Sequence, residues 1–221
     1  MPDVREWGRR DYVPSLEEMR SLVARRRAGQ IGDTLILVEH PPVVTVGVQG
    51  DDGGAVRSGI PVVHVERGGH ATYHGPGQLV GYPIVDLEAR GRDVRKFVRD
   101  LEALVVDSLA PYGVVAARLP GQPGVWIDGR RKIASIGIAV DHWVAFHGFA
   151  LNVDLDLEPF SRFQPCGLDG RTMTSIAREL GHPVSTESVK EPVAAAWSRL
   201  FGEVAPTGPG RPATAMPAPT A

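Results

Sequence analysis

Leu16, Met19, Leu22 and Val23 recur at helical spacing within residues 14–28. Pro14 and Ser15 suit a helix start, and Gly29 suits a stop. The period then changes. Residues 34–38 form an unbroken β-rich apolar run, which predicts a buried strand, and residues 43–48 resume as a second strand after Pro41 and Pro42. A polar, glycine-rich loop spans 49–59, and a third strand is expected over 61–65. Residues 79–87 read as a further strand. Gly81 and Pro83 inside it point to an edge strand or a bulge. The clearest helix is 93–110, where Val94, Phe97, Val98, Leu101, Leu104, Val105 and Ser108 make one face. Asp93 can cap it, and Pro111 with Gly113 ends it.

A short strand at 114–116 leads into a meander. Residues 124–128 and 132–140 flank Gly129, and Asp128-Gly129 is a strong hairpin signal. A second turn at Asp141-His142 leads to a strand over 143–153, and 171–180 and 187–201 read as helical. Scattered strands with two or three helices predict an α+β fold, a mixed and mostly antiparallel sheet backed by helices. Residues 1–204 are expected to form one domain. Residues 205–221, proline-rich and poor in bulky apolar side chains, are expected to be a disordered tail.

Composition narrows the function classes. With 221 residues and 43% hydrophobic content, the chain can build a sizeable core. A formal net charge of −2 argues against a general nucleic-acid binder. No apolar run is long enough to span a membrane, and the charged N-terminus has no signal-peptide core. Cys166 is the only cysteine, which excludes an intrachain disulfide and suits a reducing cytoplasm.

Residues 67–79 read R-G-G-H-A-T-Y-H-G-P-G-Q-L. Four glycines and a proline in thirteen positions suit close backbone approach better than a regular element. The stretch reads as the wall of a binding site. Its glycine spacing is not the dinucleotide fingerprint, and the chain has neither a phosphate-binding G-x-x-x-x-G-K-[ST] nor a G-x-S-x-G. His70 and His74 are four apart, but glycine and proline neighbours make a helix implausible, so no metal site is expected. His74 is expected to hydrogen-bond a neighbour and shape the loop. Two groups remain for chemistry. Cys166, in F-Q-P-C-G-L, lies off any periodic apolar face, although an isolated cysteine is usually a small buried hydrophobe. Lys132 opens the strand after the Asp128-Gly129 turn, where a lysine is usually a solvated edge residue. If the two face one another, the ammonium favours the thiolate and creates a nucleophile at neutral pH.

At these residues the chain resembles the lipoyl(octanoyl) transferases. The resembling segments are Arg67-Gly-Gly-His-Ala-Thr-Tyr-His-Gly-Pro-Gly-Gln78, Lys132-Ile-Ala-Ser-Ile-Gly137, His147-Gly-Phe-Ala-Leu-Asn-Val153, and Pro165-Cys-Gly167 with Thr174-Ser-Ile176. The resemblance implies a fold like that of biotin and lipoate protein ligases. It implies octanoyl transfer from octanoyl-acyl carrier protein to a lysine of lipoyl domains, those of 2-oxoacid dehydrogenases and the glycine cleavage H protein, with no cofactor. It assigns Cys166 as the acyl-thioester nucleophile and Lys132 as the lysine that lowers its pKa. Acyl-substrate contacts fall on Arg67, Gly68, Gly69, His70, Ala71, Thr72, Tyr73 and His74, on Ser135, Ile136 and Gly137, and on Gly148, Phe149 and Ala150. Arg130 and Arg131, beside Lys132, are the expected seat of an acidic carrier. Two alternatives stay open: an ATP-dependent lipoate ligase of the same fold, and a non-catalytic carrier-binding protein.

Overall fold

The computed structural model describes residues 3–50, 54–163 and 168–202. The described chain runs β1 (Asp3–Arg9), α1 (Tyr12–Arg27), β2 (Thr34–Glu39), β3 (Val43–Val46), β4 (Val62–His64), β5 (Ala71–His74), β6 (Gln78–Asp86), α2 (Val94–Leu109), β7 (Ala117–Leu119), β8 (Gln122–Ile127), β9 (Arg131–Asp141), β10 (Val144–Asn152), α3 (Ile176–Leu180) and α4 (Thr186–Phe201). Seven strands form one sheet in the order β1-β2-β6-β10-β9-β8-β7, and β4-β3-β5 form a second. Among the described strands, only β1 with β2 and β3 with β4 pair in parallel. The sheet is therefore mixed and mostly antiparallel, as the sequence predicts.

Helices cover both faces of the large sheet, so its central strands are apolar throughout and show no alternation with polar residues. Leu35 and Leu37 of β2, with Leu79 and Val85 of β6, meet Phe97, Leu101 and Leu104 of α2 and Trp197 of α4. The intervening residues Ile36, Val38, Val80 and Ile84 meet Leu16, Met19 and Leu22 of α1 on the opposite face. Each fully buried Leu, Ile or Phe contributes about 1.5–3 kcal/mol by leaving water. The small sheet closes a third cluster, in which Val44, Val46, Ala71 and Tyr73 pack on Phe160, Phe163 and Met173. Residues 164–167 and 203–221 lie outside the described residues, and with them Cys166 and the expected tail.

Local chemistry explains most boundaries. Asp93 caps α2 by accepting from Lys96 N at 2.8 Å, and Asp128 (φ 47°) with Gly129 (φ 69°) makes the β8–β9 turn. The second turn falls one residue later than expected, on His142 and Trp143, both left-handed. Three expectations need correction. Strand β1 went unread because its apolar content is slight, and parallel backbone pairing with β2 holds it at the edge. The short strand expected at 114–116 lies at Ala117–Leu119, paired with β8. The segment 171–180 is α-helical only over Ile176–Leu180, after a short 3-10 turn at Gly170–Thr172, because Met173 between them bridges in parallel to Lys132.

The fourth correction positions the site. Despite Gly81 and Pro83, β6 is central, between β2 and β10. Its ladder with β10 pairs Val85 with Ala145, lapses, and resumes at Gly81 with Phe149 in the same register. Pro83, which has no N–H to donate, lies in the lapse. Gly81 answers to packing: a Cβ there would sit 2.2 Å from the Phe149 ring, which is buried. Gly81→Ala is accordingly expected to lower unfolding free energy in urea by about 1–3 kcal/mol, the usual cost of overpacking a core. Unchanged stability would show that the ring can yield.

Candidate active site

The glycine-rich stretch 67–79 divides its side chains by strand parity. On β5, Ala71 and Tyr73 point into the third core cluster, whereas Thr72 and His74 line a narrow cavity of about 40 Å³. The cavity lies between the two sheets. Arg67 and Gly69 join it from the loop, Ser135, Ile136 and Gly137 from β9, Gly148, Phe149 and Ala150 from β10, Val80 and Tyr82 from β6, and Tyr12 from α1. Gly148 is required: its φ is 155°, and a Cβ would approach Pro83 Cδ to 2.4 Å.

A directional hydrogen-bond chain fixes the polar wall. Arg67 Nη2 donates to Thr45 Oγ1 at 2.9 Å, and that hydroxyl meets His74 Nε2 at 3.2 Å. His74 Nδ1 meets Gln78 Oε1 at 2.7 Å, so the acceptor partner assigns the proton to Nδ1. Gln78 Nε2 donates to Asn152 Oδ1 at 2.9 Å, and Asn152 Nδ2 donates to Thr174 O at 2.9 Å. Thr174 N donates to Lys132 O at 3.0 Å. Every side chain in this series is buried, so each bond spares a polar group the penalty of going unpaired. The expectation that His74 hydrogen-bonds a neighbour and shapes the loop holds, with Gln78 as that neighbour.

Lys132 departs from the habit of strand-edge lysines, being only 4% exposed. Its Nζ lies 5.3 Å from the centre of the Trp126 ring, a cation–π distance, and Trp126 is its ladder partner. Gly124 makes the space. A Cβ at that residue (φ 126°) would stand 2.7 Å from Lys132 Cε and 2.5 Å from Ala134 O. The same Gly124 donates its N–H to the buried Glu102 of α2 at 3.1 Å. Lys132 does not line the cavity; it stands on the strand that does, whose position is set by β8, by the Met173 bridge and by Thr174 N. Cys166 belongs to the undescribed segment 164–167; the described chain beyond it returns to Lys132 at Met173.

Residues 11–198 match the family model for the lipoyl protein ligase A/B catalytic domain. An octanoyltransferase of Geobacter sulfurreducens is 44% identical over 90% of this chain and 84% of its own length. The chain belongs to the octanoyltransferase family. It is an acyltransferase of protein lipoylation. Solved structures confirm the fold. A lipoate-protein ligase A bound with ATP superposes with a TM-score of 0.72 over 91% of this chain and 86% of that one, at 18% identity. A biotin protein ligase from Aquifex aeolicus reaches 0.54 over 91% of this chain and 70% of its own, at 10% identity.

Measured against the residues that the family resemblance implies, the cavity gathers Arg67, Gly69, Thr72, His74, Ser135, Ile136, Gly137, Gly148, Phe149 and Ala150. Gly68, His70, Ala71 and Tyr73 do not line it. Gly68 instead ties the loop to β9 by donating its N–H to Ile138 O at 2.9 Å. Sequence reasoning missed Tyr12, Val80, Tyr82 and His147 as cavity residues. The first three come from elements that only tertiary packing brings here, but His147 heads a segment already singled out. Arg131 fits poorly as a carrier seat, since Glu179 takes it in a bidentate pair at 2.9 Å and Asp128 takes it at 2.9 Å.

Burial sets the protonation of the imidazoles. It pushes His74 down to about 3 and His40 down to about 4, and His147 is lowered for the same reason. Unfolded, these groups titrate near 6.5, so below that pH the unfolded chain binds more protons and stability falls with pH. Their stabilising contribution is complete above pH ~6.5 and is lost as pH drops toward the folded values of about 4 and about 3. Between pH ~6.5 and ~5, before most carboxylates titrate, each histidine contributes a slope of up to about 1.4 kcal/mol per pH unit. Urea unfolding across this range is expected to show that loss. A flat profile would mean that the imidazoles are protonated in the folded protein.

Proposed function

We propose that the protein moves an octanoyl group from octanoyl-acyl carrier protein to a lysine amine of a lipoyl domain through a thioester on Cys166. The observation that carries the reading is the burial of Lys132 on β9, the strand that also brings Ser135, Ile136 and Gly137 to the cavity. An amine is seldom taken out of water without a task, because the charged form resists burial.

In the first step the Cys166 thiolate attacks the carrier thioester carbonyl, the new S–C bond forms, and the carrier thiol leaves. One thioester replaces another, so the step is close to balanced. In the second step the acceptor lysine amine attacks the Cys166 thioester. The C–S bond breaks, an amide forms, and the amine proton passes to the departing thiol. Amide formation is downhill, so neither step calls for ATP. Lys132 as an ammonium favours the thiolate before the first step, and its nitrogen can relay a proton in the second. The acyl tail lies along β9 and β10, where each CH₂ taken from water contributes about 0.8 kcal/mol. We place this chemistry in the cytoplasm. Among the described residues no helix is long and apolar enough to cross a membrane.

Two measurements test the reading. Intact mass after incubation with octanoyl-acyl carrier protein, without ATP, is expected to show one octanoyl adduct that is absent in Cys166→Ala. An adduct that persists in that variant, or that needs ATP, rejects the mechanism and favours the ligase alternative. Lys132→Ala is expected to slow alkylation of Cys166 at neutral pH by roughly tenfold for each unit by which the thiol pKa rises. Identical alkylation profiles across pH would show that the two side chains do not communicate.

A further inference from the structure

Register along β9 and β10 gives the cavity a direction. Starting from Lys132, Ser135 pairs with Ala150, then Gly137 with Gly148, then Ile138 with His147, then Ala139 with Phe146. The cavity occupies the Ser135-to-His147 part of this axis. Beyond it, Ile138, Ala139 and Phe146 line a second, open groove of about 760 Å³, bounded by Arg20, Val23 and Glu66. His147 lines the cavity, and its ring stacks on Phe146 and faces Glu66, which line the groove, so it stands between the two spaces.

His147 is an unusual partition. Strand parity would send its side chain toward α2 and α4 with Ala145 and Phe149. Its φ of 58° turns it instead to the α1 face, where it stacks on Phe146 with ring centres 4.9 Å apart and stands edge-on to Tyr82 at 6.5 Å. Its N–H points to the Met19 sulfur at 3.3 Å, a weak acceptor. The imidazole is buried, and its Nε2 makes no hydrogen bond. Glu66 Oε2 stands 3.8 Å from that nitrogen, on the outer-groove side, and Arg20 clamps Glu66 with two bonds of 2.9 Å. A strained backbone and a buried nitrogen whose partner Glu66 stands beyond hydrogen-bond reach, in one residue, mark a function rather than a contribution to stability.

We propose that His147, backed by the Glu66–Arg20 pair, is the end-stop that sets acyl-chain length, and that the groove between α1 and the β9–β10 hairpin receives the tail of a longer chain when the partition is removed. The inference rests on the acyl-transfer reading of the cavity. His147→Gly tests it directly, since glycine accepts φ 58° and removes the ring. Glu66→Ala tests it from outside the cavity, by freeing the imidazole to swing into the groove.

Two readouts are needed. In acyl loading of the full-length protein from octanoyl- and dodecanoyl-acyl carrier protein, followed by intact mass, His147→Gly is expected to raise dodecanoyl loading relative to octanoyl by roughly tenfold or more, given the free energy of burying the four added methylenes. Glu66→Ala is expected to move the ratio the same way by less. The second readout is the melting-temperature shift produced by free octanoate and dodecanoate, which needs no transfer. There dodecanoate is expected to overtake octanoate in His147→Gly. Unchanged ranking of the two acids in both folded variants overturns the end-stop. If His147→Gly does not fold, Glu66→Ala decides alone. If the wild-type protein forms no adduct yet the fatty-acid ranking shifts as expected, the transfer reading fails and the partition stands.

Discussion

The lapse in the ladder between β6 and β10 is the constraint on which the site depends. Pairing holds at Val85 with Ala145 and at Gly81 with Phe149, in one register, and is lost between them. Two apolar strands buried on both faces would ordinarily close this gap, because a buried backbone group without a partner costs free energy. Pro83 removes one donor outright, and Gly148 lets the facing backbone come close to the Pro83 ring. The rest of β10 stays in register with β9 along its whole length. The opening is therefore confined to one side of one strand, and the sheet remains intact around it.

What the opening removes from the sheet, the polar wall restores in rigidity. The series from Arg67 through Thr45, His74, Gln78, Asn152 and Thr174 ends on the carbonyl of Lys132. It joins the small sheet, the large sheet and the segment after residue 167 through side chains whose partners are all buried. Such a network holds only if every member is satisfied, since a half-paired buried polar group is worse than an apolar one. Neutral His74 is part of that condition: charged, it could no longer accept from Thr45.

The family segments and most of the elements were legible in the sequence because they rest on local signals. The Asp128-Gly129 turn, the Asp93 cap and the α2 face depend on residues a few positions apart, and a glycine-rich stretch announces close approach wherever it occurs. Three things were not legible. Strand β1 has little apolar content and is held by backbone pairing with a distant partner. Gly81 and Pro83 resemble edge markers, and only the Phe149 ring and the lapsed ladder show why a central strand carries them. The side-chain direction of His147 contradicts strand parity, and no period in the sequence encodes a left-handed φ at a histidine.

That last point bears on how a slot comes to have an end. Small residues such as Ser135, Gly137, Gly148 and Ala150 create room, but room alone discriminates weakly: one methylene more or less contributes only about 0.8 kcal/mol. Discrimination by length needs a wall that does not yield. On the axis past Gly137, apolar side chains could repack around a longer tail, whereas an imidazole locked by a left-handed backbone and stacked on Phe146 has fewer ways to move. Behind it, Arg20 of α1 holds Glu66 with two bonds of 2.9 Å, which gives the ring a fixed backing.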